Sequence, residues 1–172
     1  MKSHFFAYIN KIRWIQRWGL KRNAVAENVM EHSWEVSVIS HALALIKNRY
    51  FNGSIDVNAI VVAALYHDCG EILTGDMPSP IKYHSPEITQ SYKLIEKKAE
   101  HELLNLLPEK LKKDYRSVMI EEEIPPEHKV IIKAADTIYK AIPEFKFVFI
   151  GDGPSRDEIV LATESRPWMS WQ

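Results

Sequence analysis

Three observations in the sequence predict an all-α fold. Apolar residues recur at intervals of three and four along most of the chain. The periodic segments are bounded by Ser, Asp, Gly and Pro, which start or stop helices. Strand-like alternation is confined to a stretch beginning at Phe145.

The elements follow in order. Ser3 is placed to cap a first helix running to about Trp18, in which Phe5, Phe6, Ile9, Ile12 and Ile15 fall mostly at helical spacing. Arg13, Arg17, Lys21 and Arg22 cluster at its end. Cations there suit the negative pole of the helix dipole. The alternative is that one of them clamps a phosphate, with the Trp18 indole beside Arg17 holding a base or sugar. Spacing alone leaves both readings open.

A second, long helix is predicted from about Ala26 to Asn48. His32, Val36, Ile39, Leu43 and Ile46 share one face of it, so His32 points inward. A core histidine bonded to a carbonyl is the plainer alternative; His41 stands off the stripe. Asn52-Gly53-Ser54 is a turn, and Asp56 caps a third helix predicted to reach Glu71. Ile60, Ala64, His67 and Glu71 lie on one side of it, with Asp68 rotated by about 100° from His67. Ala63 and Ala64 are small enough for a neighbouring helix to approach closely.

Thr74 to Pro80 is a loop stiffened by Pro78 and Pro80. It reads as a helix break or as a pocket wall near His67 and Asp68. Ser85 and Pro86 open an amphipathic helix to Leu107 that turns Ile88, Tyr92, Ile95, Ala99, Leu103 and Leu106 inward and leaves His101 at the surface. Pro108 opens a further helix to about Glu122, whose acidic end Glu121-Glu122-Glu123 opposes the helix dipole. After Pro125-Pro126 a helix runs from Pro126 to about Ile142, with Ile132, Asp136 and Tyr139 on one face. The sequence thus divides into a helical domain over residues 1–142 and an atypical tail over 143–172, where Phe145 to Ile150 reads as a strand and Gly151 to Pro154 as a turn.

Composition narrows the function. The chain has 172 residues, 46% of them hydrophobic, enough to fill the core of one domain. The formal net charge of −1 gives no basic excess for wrapping polymeric nucleic acid. Cys69 is the single cysteine, so no intramolecular disulfide forms, which fits a reducing compartment. The N-terminus lacks a signal-peptide run, and no window reaches the roughly 20 apolar residues of a membrane span. A soluble, cytoplasmic protein is the expectation.

The chemistry concentrates on His32, His67, Asp68 and Asp136, each placed on or beside an inward helical face. Buried charges of this kind are normally paired or metal-bound. Imidazoles with carboxylates suit a divalent transition ion, and a structural zinc site of thiolates is excluded by the cysteine count.

This order of residues resembles the HD-domain metal-dependent phosphohydrolases. Ser3-His4-Phe5-Phe6-Ala7, Arg17-Trp18, Glu27-Asn28-Val29, Glu31-His32-Ser33, Tyr66-His67-Asp68, Glu71, Leu73 to Pro78 and Ile81-Lys82-Tyr83 are similar to the bacterial 5′-deoxynucleotidase (YfbR-type) branch over about residues 1–140. The resemblance implies an all-helical HD-domain bundle, a homodimer, and hydrolysis of deoxyribonucleoside 5′-monophosphates to deoxyribonucleoside and phosphate with one divalent transition metal such as cobalt or manganese. By matching motif, His32, His67, Asp68 and Asp136 would ligate the metal, the two aspartates also meeting substrate. Arg17 would orient the phosphate and Glu71 would be the catalytic carboxylate. Trp18 would line the sugar and disfavour a ribose 2′-hydroxyl. Asp76, Met77, Pro78 and Ser79 would contact the nucleoside; Ser79 stands where the family more often has threonine. The tail departs from that family, and Pro143 to Pro154 resembles a strand-and-turn piece of nucleotide-sugar glycosyltransferases. An HD-type hydrolase of another nucleotide, and a catalytically impaired metal-binding homologue, are the alternatives.

Overall fold

The computed structural model describes residues 3–17, 19 and 26–141. Its helices are α1 (Phe5–Ile9), α2 (Val29–Tyr50), α3 (Val57–Tyr66), α4 (Glu71–Thr74), α5 (Ser79–Lys82), α6 (Pro86–Asn105), α7 (Glu109–Met119) and α8 (Pro126–Ala141). Short 3₁₀ turns cover Asn10–Trp14 and Glu121–Glu123. Among the described residues the only extended pairing is an isolated antiparallel bridge between Gln16 and Asn28. The strand and turn expected after Pro143 lie outside the described residues.

The first helix is shorter than its periodicity suggests. It tightens into the 3₁₀ turn and ends at Trp14, and Ile15 is extended. The reason is a rival set of partners: Arg17 N–H donates to Glu27 O at 2.9 Å, and Val29 N–H donates to Ile15 O at 3.0 Å. Ser3 accepts from Phe5 N–H and donates its own hydroxyl to Leu106 O at 2.7 Å, tying the start of the chain to α6.

α2 begins where Asn28 and Glu31 cap each other. The Asn28 side chain accepts from Met30 and Glu31 N–H, and the Glu31 carboxylate accepts from Asn28 N–H. At its far end Asn48 holds Ile55 by both backbone groups, at 2.9 and 2.8 Å, which folds α3 back along α2. Asp56 caps α3 by accepting from Asn58 and Ala59 N–H. α3 ends at Tyr66, short of the Glu71 expected from spacing. His67 Nδ1–H donates to Ala64 O at 2.7 Å and so competes with the backbone for that carbonyl. The chain then turns through three-residue bonds such as Cys69 N–H to Tyr66 O before α4 restarts at Glu71.

Two apolar clusters hold the bundle. Val36, Ile39 and Ala44 of α2 pack with Ile60, Ala63 and Ala64 of α3 and with Ile132 and Ala135 of α8. Phe5, Cys69, Leu103, Leu104, Leu107, Met119 and Ile120 form the second cluster, joining α1, α6 and α7. On α6 the inward stripe is Tyr92, Ala99 and Leu103; Ile88 and Ile95, expected inside, are exposed among the described residues. The acidic run after α7 is a 3₁₀ turn, and two of its three charges are matched: Glu122 pairs with Lys97 at 2.8 Å and Glu123 with Arg116. No helix among the described residues is long and apolar enough to cross a membrane.

Candidate metal centre

The first turn of α2, the turn after α3 and the middle of α8 meet at one point. His32 is fully buried there, with Nε2 at 3.4 Å from Asp68 Oδ2 and 3.3 Å from Asp136 Oδ1. His67 Nε2 lies 3.2 Å from the same Asp68 oxygen. The two imidazole rings are 5.2 Å apart. One ligand atom from each of His32, His67 and Asp68 falls within 4.8 Å of the others.

The bond from His67 to Ala64 decides what its ring presents. A carbonyl only accepts, so Nδ1 carries the hydrogen and Nε2 of the neutral ring faces the centre with a lone pair. Burial opposes a charge on this ring, but Asp68 and the Ala64 carbonyl outweigh it and raise the His67 pKa above 6.5. A cation held at this centre would compete with a proton for Nε2. Burial alone would raise Asp68; the imidazoles of His67 and His32 hold its carboxyl well below the usual range instead.

Glu71 opens α4 beside this group. Its Oε2 is buried with no hydrogen-bond partner, as is His67 Nε2. Burial, then the charges of Asp68 and Asp76, push its pKa up to about 9, against the pull of Arg17 and Lys82. A site with two imidazoles, several carboxylates and unpartnered buried lone pairs fits a divalent ion of the first transition row. A cavity of about 330 Å³ opens beside it, lined by His67, Asp68, Glu71, Lys82 and Asp136 among others.

The other residues singled out in the sequence stand further out. Arg17 is buried, with Nη1 at 3.4 Å from Glu27 Oε1, and its charge is felt at Glu71. Asp76 is also felt at Glu71, while Met77, Pro78 and Ser79 continue from it into α5 and are not among the residues lining the cavity. Trp18 lies outside the described residues.

The loop that carries Asp76 to Ser79 is pinned to α6. The Tyr92 hydroxyl lies 3.4 Å from both Thr74 Oγ1 and Gly75 O, and Thr89 Oγ1 donates to Lys82 O at 2.9 Å. Lys82 pairs with Glu96 at 2.6 Å. Gly75, with φ of 72°, takes a conformation other residues adopt at a cost. Sequence reasoning assigned no role to Glu27 or Tyr139. The Tyr139 hydroxyl donates to Glu27 Oε1 at 2.6 Å, and its ring packs edge-on against His32. The available signal was Tyr139 standing one turn past Asp136 on the same face.

A family model described as 5′-deoxynucleotidase YfbR-like matches residues 4–147. A 5′-deoxynucleotidase of Vibrio vulnificus is 42% identical over 175 residues, covering 99% of this chain and 90% of that protein. One of Yersinia pestis is 47% identical over 136 residues, covering 79% of this chain and 69% of the relative. Among solved structures, an HD-domain phosphohydrolase of Listeria innocua superposes with a TM-score of 0.71 at 19% identity, covering 97% of this chain and 82% of that one. The cyanophage S-2L HD phosphohydrolase DatZ, bound to dA and one catalytic Zn²⁺ ion, gives 0.58 at 24% identity, covering 92% and 80%. Those two likenesses carry the fold. The matched family model and the relatives at this identity carry more: the chain belongs to the YfbR-like 5′-deoxynucleotidase family.

Proposed function

We propose that this protein is a metal-dependent 5′-deoxynucleotidase that cleaves deoxyribonucleoside 5′-monophosphates into deoxyribonucleoside and phosphate. The observation that carries the reading is the convergence of His32, His67 and Asp68 within 4.8 Å, in a chain of this family. His32, His67, Asp68 and Asp136 would hold one divalent ion. The ion, when bound, supplies Lewis acidity toward the phosphoryl group and toward water.

The rest falls to the side chains. Arg17 orients the phosphate, its guanidinium offsetting charge that builds on the equatorial oxygens. Glu71 holds a proton readily in its buried setting and moves it at a carboxyl oxygen between water and the leaving 5′-oxygen. Asp76, Met77, Pro78 and Ser79 meet the nucleoside, on a loop that α6 keeps in place. By the family likeness Trp18 is assigned to the sugar, where a 2′-hydroxyl would lose its hydration without gaining a partner. Cobalt or manganese as the ion, a homodimer and a cytoplasmic setting belong to the same reading and rest on the family likeness.

The test is phosphate release from paired substrates, dAMP against AMP, across a series of divalent metals. The expected result is metal-dependent release strongly favouring the deoxy substrate. Equal rates on both would remove the selectivity assigned to Trp18, and release from neither would remove the activity.

A further inference from the structure

Glu27 stands one residue ahead of the α2 cap, and a single one of its oxygens is a meeting point. Glu27 Oε1 accepts from the Tyr139 hydroxyl at 2.6 Å and from Arg17 Nη1 at 3.4 Å. It also lies 3.6 Å from His32 Nδ1, within ion-pair range though longer than a hydrogen bond. The same residue holds Arg17 from behind, since Arg17 N–H donates to the Glu27 carbonyl at 2.9 Å. The side chains involved are enclosed: 15% exposed for Glu27, 8% for Arg17 and 1% for His32. A carboxylate so enclosed is costly unless opposed by cations and donors, and here the opposing groups belong to two different jobs. One is the ring whose other nitrogen faces Asp68 and Asp136. The other is the guanidinium assigned to the phosphate.

We infer that Glu27 is a positioning residue that ties the cation site to the phosphate arm, with Tyr139 fixing it from α8. For Arg17 this rests on the reading given under Proposed function; for His32 it rests on the geometry of the centre alone. A carboxylate behind the Nδ1 of a ligating imidazole orients the ring and increases the electron density at Nε2. The same oxygen gives the Arg17 guanidinium a fixed station, so that it need not be ordered anew when substrate arrives. Tyr139 holds the Glu27 carboxylate in place through its hydroxyl, and its own ring is packed against His32.

The experiment compares Glu27→Gln, Glu27→Asp and Tyr139→Phe with the parent protein. Cobalt affinity is measured by calorimetry on the metal-stripped protein, and KM and kcat for dAMP are measured at saturating metal. Glu27→Gln is expected to weaken cobalt binding by about 10- to 100-fold and to raise KM for dAMP. Tyr139→Phe moves both in the same direction by less, and Glu27→Asp restores part of each. In an Arg17→Ala background, Glu27→Gln should still weaken cobalt binding and should no longer change KM. A folded Glu27→Gln protein with parental cobalt affinity and KM overturns the proposal. If that variant does not fold, Tyr139→Phe with both quantities unchanged overturns it equally. A parent protein that binds cobalt and releases no phosphate removes the activity reading by itself; the positioning role then stands or falls on the affinity measurements.

Discussion

Placement of single protons sets the character of this centre. Ala64 O takes the Nδ1 hydrogen of His67, so Nε2 is the nitrogen turned to Asp68. Glu71, a few residues on, is pushed the other way and retains a proton up to about pH 9 because it is buried among carboxylates. The two residues should therefore fail differently. Glu71→Gln keeps the side-chain shape and removes the titrating group. It is expected to lower kcat by about 10²- to 10⁴-fold while cobalt affinity is little changed. His67→Gln removes a proposed ligand, so affinity should fall first. Calorimetry beside single-turnover phosphate release separates the two; a Glu71→Gln protein with parental turnover removes Glu71 from the chemistry. That His32, His67, Asp68 and Asp136 lie close together was legible because each interrupts or flanks an apolar stripe, a local pattern. Glu27 and Tyr139 were not. Their contact joins positions 112 apart in the chain, and no local period encodes such a pairing.

Elements are positioned here by their ends more than by their faces. The Asn28–Glu31 capping box fixes where α2 starts, and so the height at which His32 enters the centre. Ser85 does the same for α6 by accepting from Ile88 N–H, on a helix that carries none of the proposed metal ligands. Asn28→Ala and Ser85→Ala should each cost about 1 kcal/mol in urea unfolding, the ordinary value of a lost cap. The Asn28 change alone should also weaken cobalt binding, because it frees the first turn carrying His32 and the residue next to Glu27. Equal cobalt affinity in both variants would show that α2 is held by its packing and not by its cap. Asp56, Ser85 and Pro126 could be read directly as helix starts, since capping chemistry is local. The ends of α1 and α3 could not. In α1 the competing partners come from Glu27 to Val29, and in α3 the competitor is a side chain, His67, that periodicity treats only as a face marker.

Across the whole molecule, the two apolar clusters meet along α7, and the segment after it is tied back to α6 by Glu100. Glu100 accepts from Glu121 N–H at 3.1 Å and its stem lies against Gly70. Burial raises its pKa to about 7. The Glu121 N–H pulls the other way, and the charges of Glu121, Glu96 and Glu122 add to the rise. The sign of the stability effect follows from proton counting. An unfolded chain loses this proton near 4.5, whereas the folded protein keeps it to about 7. Between those values the folded state binds more protons, so its stability falls as pH rises, and above about 7 the loss is complete and constant. Glu100→Gln can still accept from Glu121 N–H and never carries the charge. Urea unfolding of the two proteins should therefore diverge from pH 5 upward. By pH 8 the Gln variant should be more stable by roughly 1 kcal/mol, a figure reduced for the solvent that still reaches this side chain. Subtracting one curve from the other removes every other titrating group. A difference that stays flat across that range would mean that water screens Glu100 fully, and that the tie between α6 and the turn after α7 carries no electrostatic cost.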